Sequence, residues 1–183
     1  MLETERLFLR RFNENDIEAV FAMRSDADVM RFIREPQTNR SEAESWVKLV
    51  SSRWENDKIG FCALFEKSSG KFVGWCGLWR LKETDETEVG YALIKEFRGR
   101  GYAVEASEAF LIYGFEILNL KEIVAVARPE NRASRRVMER LGMTYDYTGK
   151  FYERDLVHYS ITSEEFFQRQ GAKAPSRRDF LKL

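Results

Sequence analysis

Along the first third of the chain the spacing of apolar positions changes twice. In ERLFLRRF, Glu5 to Phe12, Leu7 and Leu9 alternate with charged neighbours, the period of a half-buried strand. NDIEAVFAMRSDADVMRFI then carries helical spacing, and a turn follows at Pro36. In SEAESWVKLVSSRWEN, Ser41 and Glu44 match the S-x-x-E pattern of a capping box, and Trp46, Val47, Val50 and Trp54 follow at helical intervals, which predicts a helix starting there. IGFCALFEK and KFVGWCGLWRL read as two strands joined by the short link Ser68, Ser69, Gly70. ETEVGYALI, Glu86 to Ile94, is a third strand-like run.

From Val89 the order becomes strand, EFRGRG loop, helix from about Tyr102 to Leu118, and strand from Glu122. The only charged residues of that helix, Glu105, Glu108 and Glu116, fall within an arc of about 80°. The rest of its circumference is apolar, so the helix is expected to be largely buried against a sheet. A crossover of this kind makes its flanking strands parallel, whereas the earlier hairpin makes its own strands antiparallel, so the sheet is mixed. NRASRRVMERLG predicts a short helix ended by a left-handed Gly142. MTYDYTGKFY and LVHYSIT supply a closing strand pair, and SEEFFQRQ a last short turn of helix. The prediction is one α/β (α+β) domain, with a mixed central sheet of about seven strands flanked by about four helices. It is expected to span 1–170, with a loose tail over 171–183 that includes AKAPSRRD.

Composition narrows the partners. Lysine plus arginine equals aspartate plus glutamate at 30 each, so no net field draws the chain to nucleic acid or an anionic membrane. No apolar run reaches the length of a membrane span. Cys62 and Cys76 lie in apolar runs without C-x-x-C spacing or a preceding secretory leader, so they are expected to be reduced and buried, which points to the cytoplasm.

The candidate chemistry begins at EFRGRGYAVEA, Glu96 to Ala106, where two glycines alternate with arginines and run into a helix. A helix N-terminus presents unpaired N–H groups and the positive end of the macrodipole, and so attracts anions. Gly99 and Gly101 let the backbone curl close to a phosphate, and Arg98 and Arg100 add positive charge. The alternative is a tight polar turn whose glycines merely fit its geometry. A P-loop is excluded, because Tyr102 and Ala103 stand where G-K-[ST] would end; a dinucleotide fingerprint is weak, because Val104 occupies the place of its third glycine.

R-x-x-G-x-A at Arg98, Gly101 and Ala103 resembles instead the acetyl-CoA-binding motif of the GNAT N-acetyltransferases. NRASRRVMERLGM, Asn131 to Met143, and the opening TERLFLRRF resemble the subgroup that acetylates ribosomal-protein N-termini. The resemblance spans roughly Leu2 to Thr162. It implies a fold in which two parallel strands splay and the pantetheine arm lies between them. Main-chain groups of Tyr91, Ala92 and Leu93 would bond that arm, and the amides from Arg98 through Gly99, Arg100, Gly101 and Tyr102 to Ala103 would hold the pyrophosphate. Asn131 would contact the pantetheine arm, or else cap the following helix.

Transfer of acetyl from a thioester to an amine needs a base for the amine and an acid for the departing thiolate. The resemblance implies Glu88 as the base, against an ordinary strand-end carboxylate, and Ser134 as the acid, against a plain first-turn serine. Family members elsewhere use a tyrosine as the acid; its place here is held by Met138, which cannot donate a proton. Glu153 is a weaker base candidate. His158, the only histidine, alternates away from Val157, Tyr159 and Ile161, which predicts an exposed position; no metal site or serine triad assembles around it. Arg132, Arg135, Arg136 and Arg140 make a basic helix, read as a solvated face or a contact for the 3′-phosphate of CoA. Trp46, Trp54, Trp75 and Trp79 are core residues or the lining of an acceptor pocket. Two functions of different class follow: an acetyl-CoA-dependent N-acetyltransferase acting on a protein N-terminus or a small amine, as monomer or homodimer, and a non-catalytic acyl-CoA-binding module. Arg31, Phe32, Arg34 and Glu35 would shape the acceptor side.

Overall fold

The structure, a computed structural model, describes residues 2–170, so the tail expected over 171–183 lies outside the described residues. Eight strands form one sheet: β1 (Leu2–Glu3), β2 (Leu7–Arg11), β3 (Phe61–Glu66), β4 (Phe72–Arg80), β5 (Thr87–Leu93), β6 (Glu122–Ala127), β7 (Thr144–Phe151) and β8 (Arg154–Thr162). Their order is β1-β2-β3-β4-β5-β6-β8-β7, antiparallel everywhere except between β5 and β6. Among the described residues six α-helices accompany them: α1 (Ile17–Arg24), α2 (Ala27–Met30), α3 (Arg40–Asn56), α4 (Tyr102–Ile112), α5 (Arg132–Leu141) and α6 (Ser163–Gln170).

The mixed sheet and the βαβ unit follow the sequence pattern, with two differences in count. The two-residue β1 extends the edge beyond the predicted strand. The first helical stretch is broken where the Asp26 side chain accepts from the N–H groups of Asp28 and Val29 and so starts a new helix, α2. The start of α3 is also corrected. Its N-cap is Asn39, whose side chain accepts from the Glu42 N–H at 3.2 Å, so Ser41 lies inside the helix. Asparagine two residues earlier therefore takes the role expected of serine. The predicted long helix continues past α4 as a π-turn over Tyr113–Ile117.

One core cluster joins β2–β6 and β8 to α4, with Leu7, Leu9, Leu64, Leu78, Ala106 and Phe110 fully enclosed. A second, on the opposite face of the sheet, joins α1–α3 to β3–β5 through Val20, Met30, Val47, Phe61, Trp75 and Ala92. Successive side chains of β5 therefore go to different layers: Val89, Tyr91 and Leu93 toward α4, and Ala92 toward α1–α3. Cys62 and Cys76 are free, buried thiols opposite one another on β3 and β4, and burial pushes Cys76 up to about 12.

Candidate active site

The parallel pair at the centre of the sheet is joined at a single register position, Glu88 opposite Val124. β4 pairs with β5 along its whole length, so only one side of β5 opens toward β6. The Ile94 N–H donates to the Val73 carbonyl at 2.9 Å, and strand alternation then directs the main-chain groups of Ala92 to β4 and those of Tyr91 and Leu93 into the gap. This corrects the expectation for Ala92. The Leu93 carbonyl accepts from Arg98 Nε at 3.0 Å, which leaves the Leu93 N–H and both groups of Tyr91 facing the gap.

Beyond β5 the chain is extended at Arg98, left-handed at Gly99 and Gly101 (φ 77° and 85°), and enters α4 at Tyr102. Side chains other than glycine are strained at such angles. Apart from its chain neighbours, nothing lies within 4 Å of where a Cβ on Gly99 would sit, so the space on that side of the bend is open. α4 has no side-chain cap, and its first-turn N–H groups are left for an anion. These features fit a diphosphate. The arginines act differently from the sequence expectation. The Arg98 guanidinium turns back to the Leu93 carbonyl and, at 3.3 Å, to that of Asp28 in α2; Arg100 lies over the Phe97 ring, 3.6 Å from Glu66.

Arg6, which sequence reasoning missed, fixes the cradle from behind. It donates to the Arg100 carbonyl at 2.8 Å, pairs with Glu105 at 2.6 Å, and stacks over Tyr102, whose hydroxyl donates to Glu66 at 2.5 Å. Arg6 belongs to the TERLFLRRF opening, so its position was marked by that motif although its role was not.

Ser134 sits in the first turn of α5, and its N–H donates to the Asn131 side chain at 3.2 Å. Asn131 is thus the N-cap of α5, one of its two expected roles. Burial pushes the Tyr91 phenol up to about 12, and the nearby Ser134 side chain opposes that rise. Sequence reasoning gave Tyr91 only a main-chain role; the fold brings its hydroxyl to Ser134, across the opening between β5 and α5. Met138 is buried in the core, packed with Leu141 and Met143.

Glu88 is 7% exposed, on β5 where it meets β6. Burial pushes its carboxyl up to about 7, with Glu83 adding to the rise and a hydrogen bond from Tyr152 opposing it. Tyr152 was missed because its contact depends on a hairpin turn that the sequence does not announce. Glu153 is exposed in that turn beside Tyr152.

His158 contradicts its expected exposure. It is 3% exposed, stacked on Tyr147 and Phe151, with Nδ1 2.9 Å from Asp146 and Nε2 3.3 Å from Glu86. A register shift between Tyr145 and Tyr147 folds β7 rings over that face of β8. The tryptophans divide. Trp54 and Trp75 are buried; Trp46 and Trp79 are half-buried and join Phe61 and Trp75 in a row of rings, with Trp79 paired opposite Glu88. No helix among the described residues is long and apolar enough to cross a membrane.

Comparison with known proteins agrees with this geometry. Residues 6–144 match the family model described as an acetyltransferase (GNAT) domain. An uncharacterized N-acetyltransferase of Bacillus subtilis, YnaD, is 28% identical over 90% of this chain and 98% of its own. The crystal structure of a GNAT-family acetyltransferase from Bacillus anthracis superposes with a TM-score of 0.76 at 30% identity, covering 90% of this chain and 99% of that one. The spermidine N-acetyltransferase of Vibrio cholerae, solved with CoA and spermine, shares the fold with a TM-score of 0.73 at 19% identity, covering 88% and 98%. A splayed parallel pair, an uncapped helix behind left-handed glycines and a match over most of the chain converge on one conclusion: the protein belongs to the GNAT family and is an acetyl-CoA-dependent acetyltransferase.

Proposed function

We propose that the chain moves acetyl from acetyl-CoA directly to a primary amine, with Glu88 as the general base. One observation carries this reading. A nearly enclosed carboxyl with a pKa raised to about 7 stands at the point where β5 and β6 begin to separate. A base matched to neutral pH removes an ammonium proton far better than an ordinary carboxylate does.

The amides of Gly99–Ala103 would hold the diphosphate, and the main-chain groups of Tyr91 and Leu93 would orient the pantetheine arm. When bound, acetyl-CoA supplies an activated acyl group on a thiol leaving group. Glu88 takes a proton from the acceptor ammonium, and the neutral nitrogen forms its bond to the acyl carbon as the C–S bond breaks. The Ser134 hydroxyl, beside the protonated Tyr91 phenol, gives a proton to the departing sulfur and takes up the second proton that the nitrogen loses as it becomes an amide, so the serine ends as a hydroxyl. A hydroxyl pair takes over the part that Met138, apolar and buried, cannot play.

The acceptor would enter on the α1–α3 face, beside the Phe61, Trp75 and Trp79 rings. The turn after α2 borders this side, fixed to β8 by Arg154, which donates to the Ile33 carbonyl at 3.0 Å. Arg31, Arg34 and Glu35 are exposed there, a mixed set that suits a protein N-terminus or a small amine better than a polycation alone. Acetyl-CoA turnover against a panel of peptides and amines, with the product read by mass, tests the reading. Acetylated amine is the expected outcome; hydrolysis or no turnover with every acceptor opposes it.

Two variants probe the α5 side. Ser134→Ala is expected to lower kcat by about one to two orders of magnitude, with little change in KM for acetyl-CoA, measured by steady-state thiol release. Asn131→Ala is expected to cost about 1 kcal/mol of stability in denaturant unfolding. Asn131→Asp keeps the cap, so CoA binding weakened in this variant as well as in Asn131→Ala would assign the Asn131 amide N–H groups to the cosubstrate.

A further inference from the structure

Between β7 and β8 the chain reverses in two residues, Tyr152 and Glu153, with φ 51° and 61°. A hairpin of this kind strongly prefers Asn-Gly or Asp-Gly, because both central residues are left-handed. Tyrosine and glutamate at these angles carry strain, and such strain persists only where the surroundings over-determine the conformation. Here two carboxylates from beyond β6, Glu83 before β5 and Glu88 on it, do so. The Tyr152 N–H donates to Glu83 Oε1 at 2.6 Å, and the Tyr152 hydroxyl donates to Glu88 Oε1. Glu83 belongs to the loop between β4 and β5, so the hairpin tip is held by the same strand connection that carries Glu88. Tyr152 as a residue is 44% exposed and belongs to neither main core cluster, so core packing alone does not explain its placement.

We propose that Tyr152 is a positioning residue for Glu88: the strained hairpin tip delivers its phenol to the carboxyl, aims it, and with Glu83 sets the pH at which it ionises. The inference rests on the reading of Glu88 as the base. Two groups act on Glu88. Tyr152 of the hairpin donates a hydrogen bond that favours the carboxylate, and Glu83 of the loop disfavours it. The paired residues on β4 and β6, Trp79 and Val124, are uncharged. From α3, Arg53 lies over the Trp79 ring and is ion-paired to Asp57.

Because the two neighbours act in opposite senses, two variants should move Glu88 in opposite directions. Tyr152→Phe keeps the ring and removes the donor, so the Glu88 midpoint should rise by about one pH unit. Glu83→Gln keeps an acceptor for the Tyr152 N–H and removes the charge, so the midpoint should fall. The measurement is a carbon-13 NMR titration of the Glu88 carboxyl in the full chain, alongside the acid limb of kcat/KM. Opposite shifts in both readouts are the expected result. A midpoint unmoved in Tyr152→Phe, or moved the same way in both variants, overturns the proposal. Opposite NMR shifts with an unmoved kinetic limb uphold the hold on Glu88 and remove Glu88 from the role of base.

Discussion

Glu88→Gln is expected to reduce kcat/KM by about 10²- to 10⁴-fold, the range that a general base contributes, while leaving CoA affinity unchanged. Glutamine fills the same space and can still accept the Tyr152 hydrogen bond, so the fold is kept and the loss is chemical. The pH dependence supplies the sign. With the carboxyl raised to about 7, the basic form predominates above that pH, and wild-type kcat/KM should fall as pH drops through about 7. In Glu88→Gln this limb should vanish. Near-wild-type activity with the limb intact would place the base elsewhere.

The second large effect concerns the cradle. Gly99→Val places a branched side chain at φ 77°, where the backbone relaxes toward negative φ and turns its amides away. Losing one charge-assisted N–H contact costs about 1.5–3 kcal/mol, so CoA should bind roughly 10- to 100-fold more weakly by calorimetry. Gly70 provides the control. It is also left-handed, at φ 68°, and also faces open space, but it lies in the hairpin between β3 and β4. Gly70→Val should carry a similar backbone cost and leave CoA affinity unchanged. Equal losses in both variants would reduce the Gly99 effect to general strain.

The βαβ core of the fold was legible because two periods meet there: the strand ending at Leu93 and the helix beginning at Tyr102 are divided by glycines that only a left-handed bend requires. Gly142 announced the end of α5 in the same way, at φ 89°. What stayed hidden depends on contacts between residues far apart in sequence. Arg6 reaches across the sheet edge to Glu105, and Tyr152 reaches Glu88 from a turn with neither glycine nor asparagine. His158 shows the limit of alternation as a guide. The period placed it correctly on the face away from Val157 and Tyr159, but exposure depended on whether β7 folded over that face. The Ala92 expectation failed for a related reason, since which main-chain groups face the gap depends on the β4 register, fixed here by the Ile94 to Val73 bond.

The most direct test of the account follows the backbone amides themselves. On titration with coenzyme A, nitrogen-15 NMR should move the N–H signals of Gly99 to Ala103 together with those of Tyr91 and Leu93, and Gly99→Val should suppress the first group. Saturable binding that shifts neither the cradle amides nor the open side of β5 would contradict it.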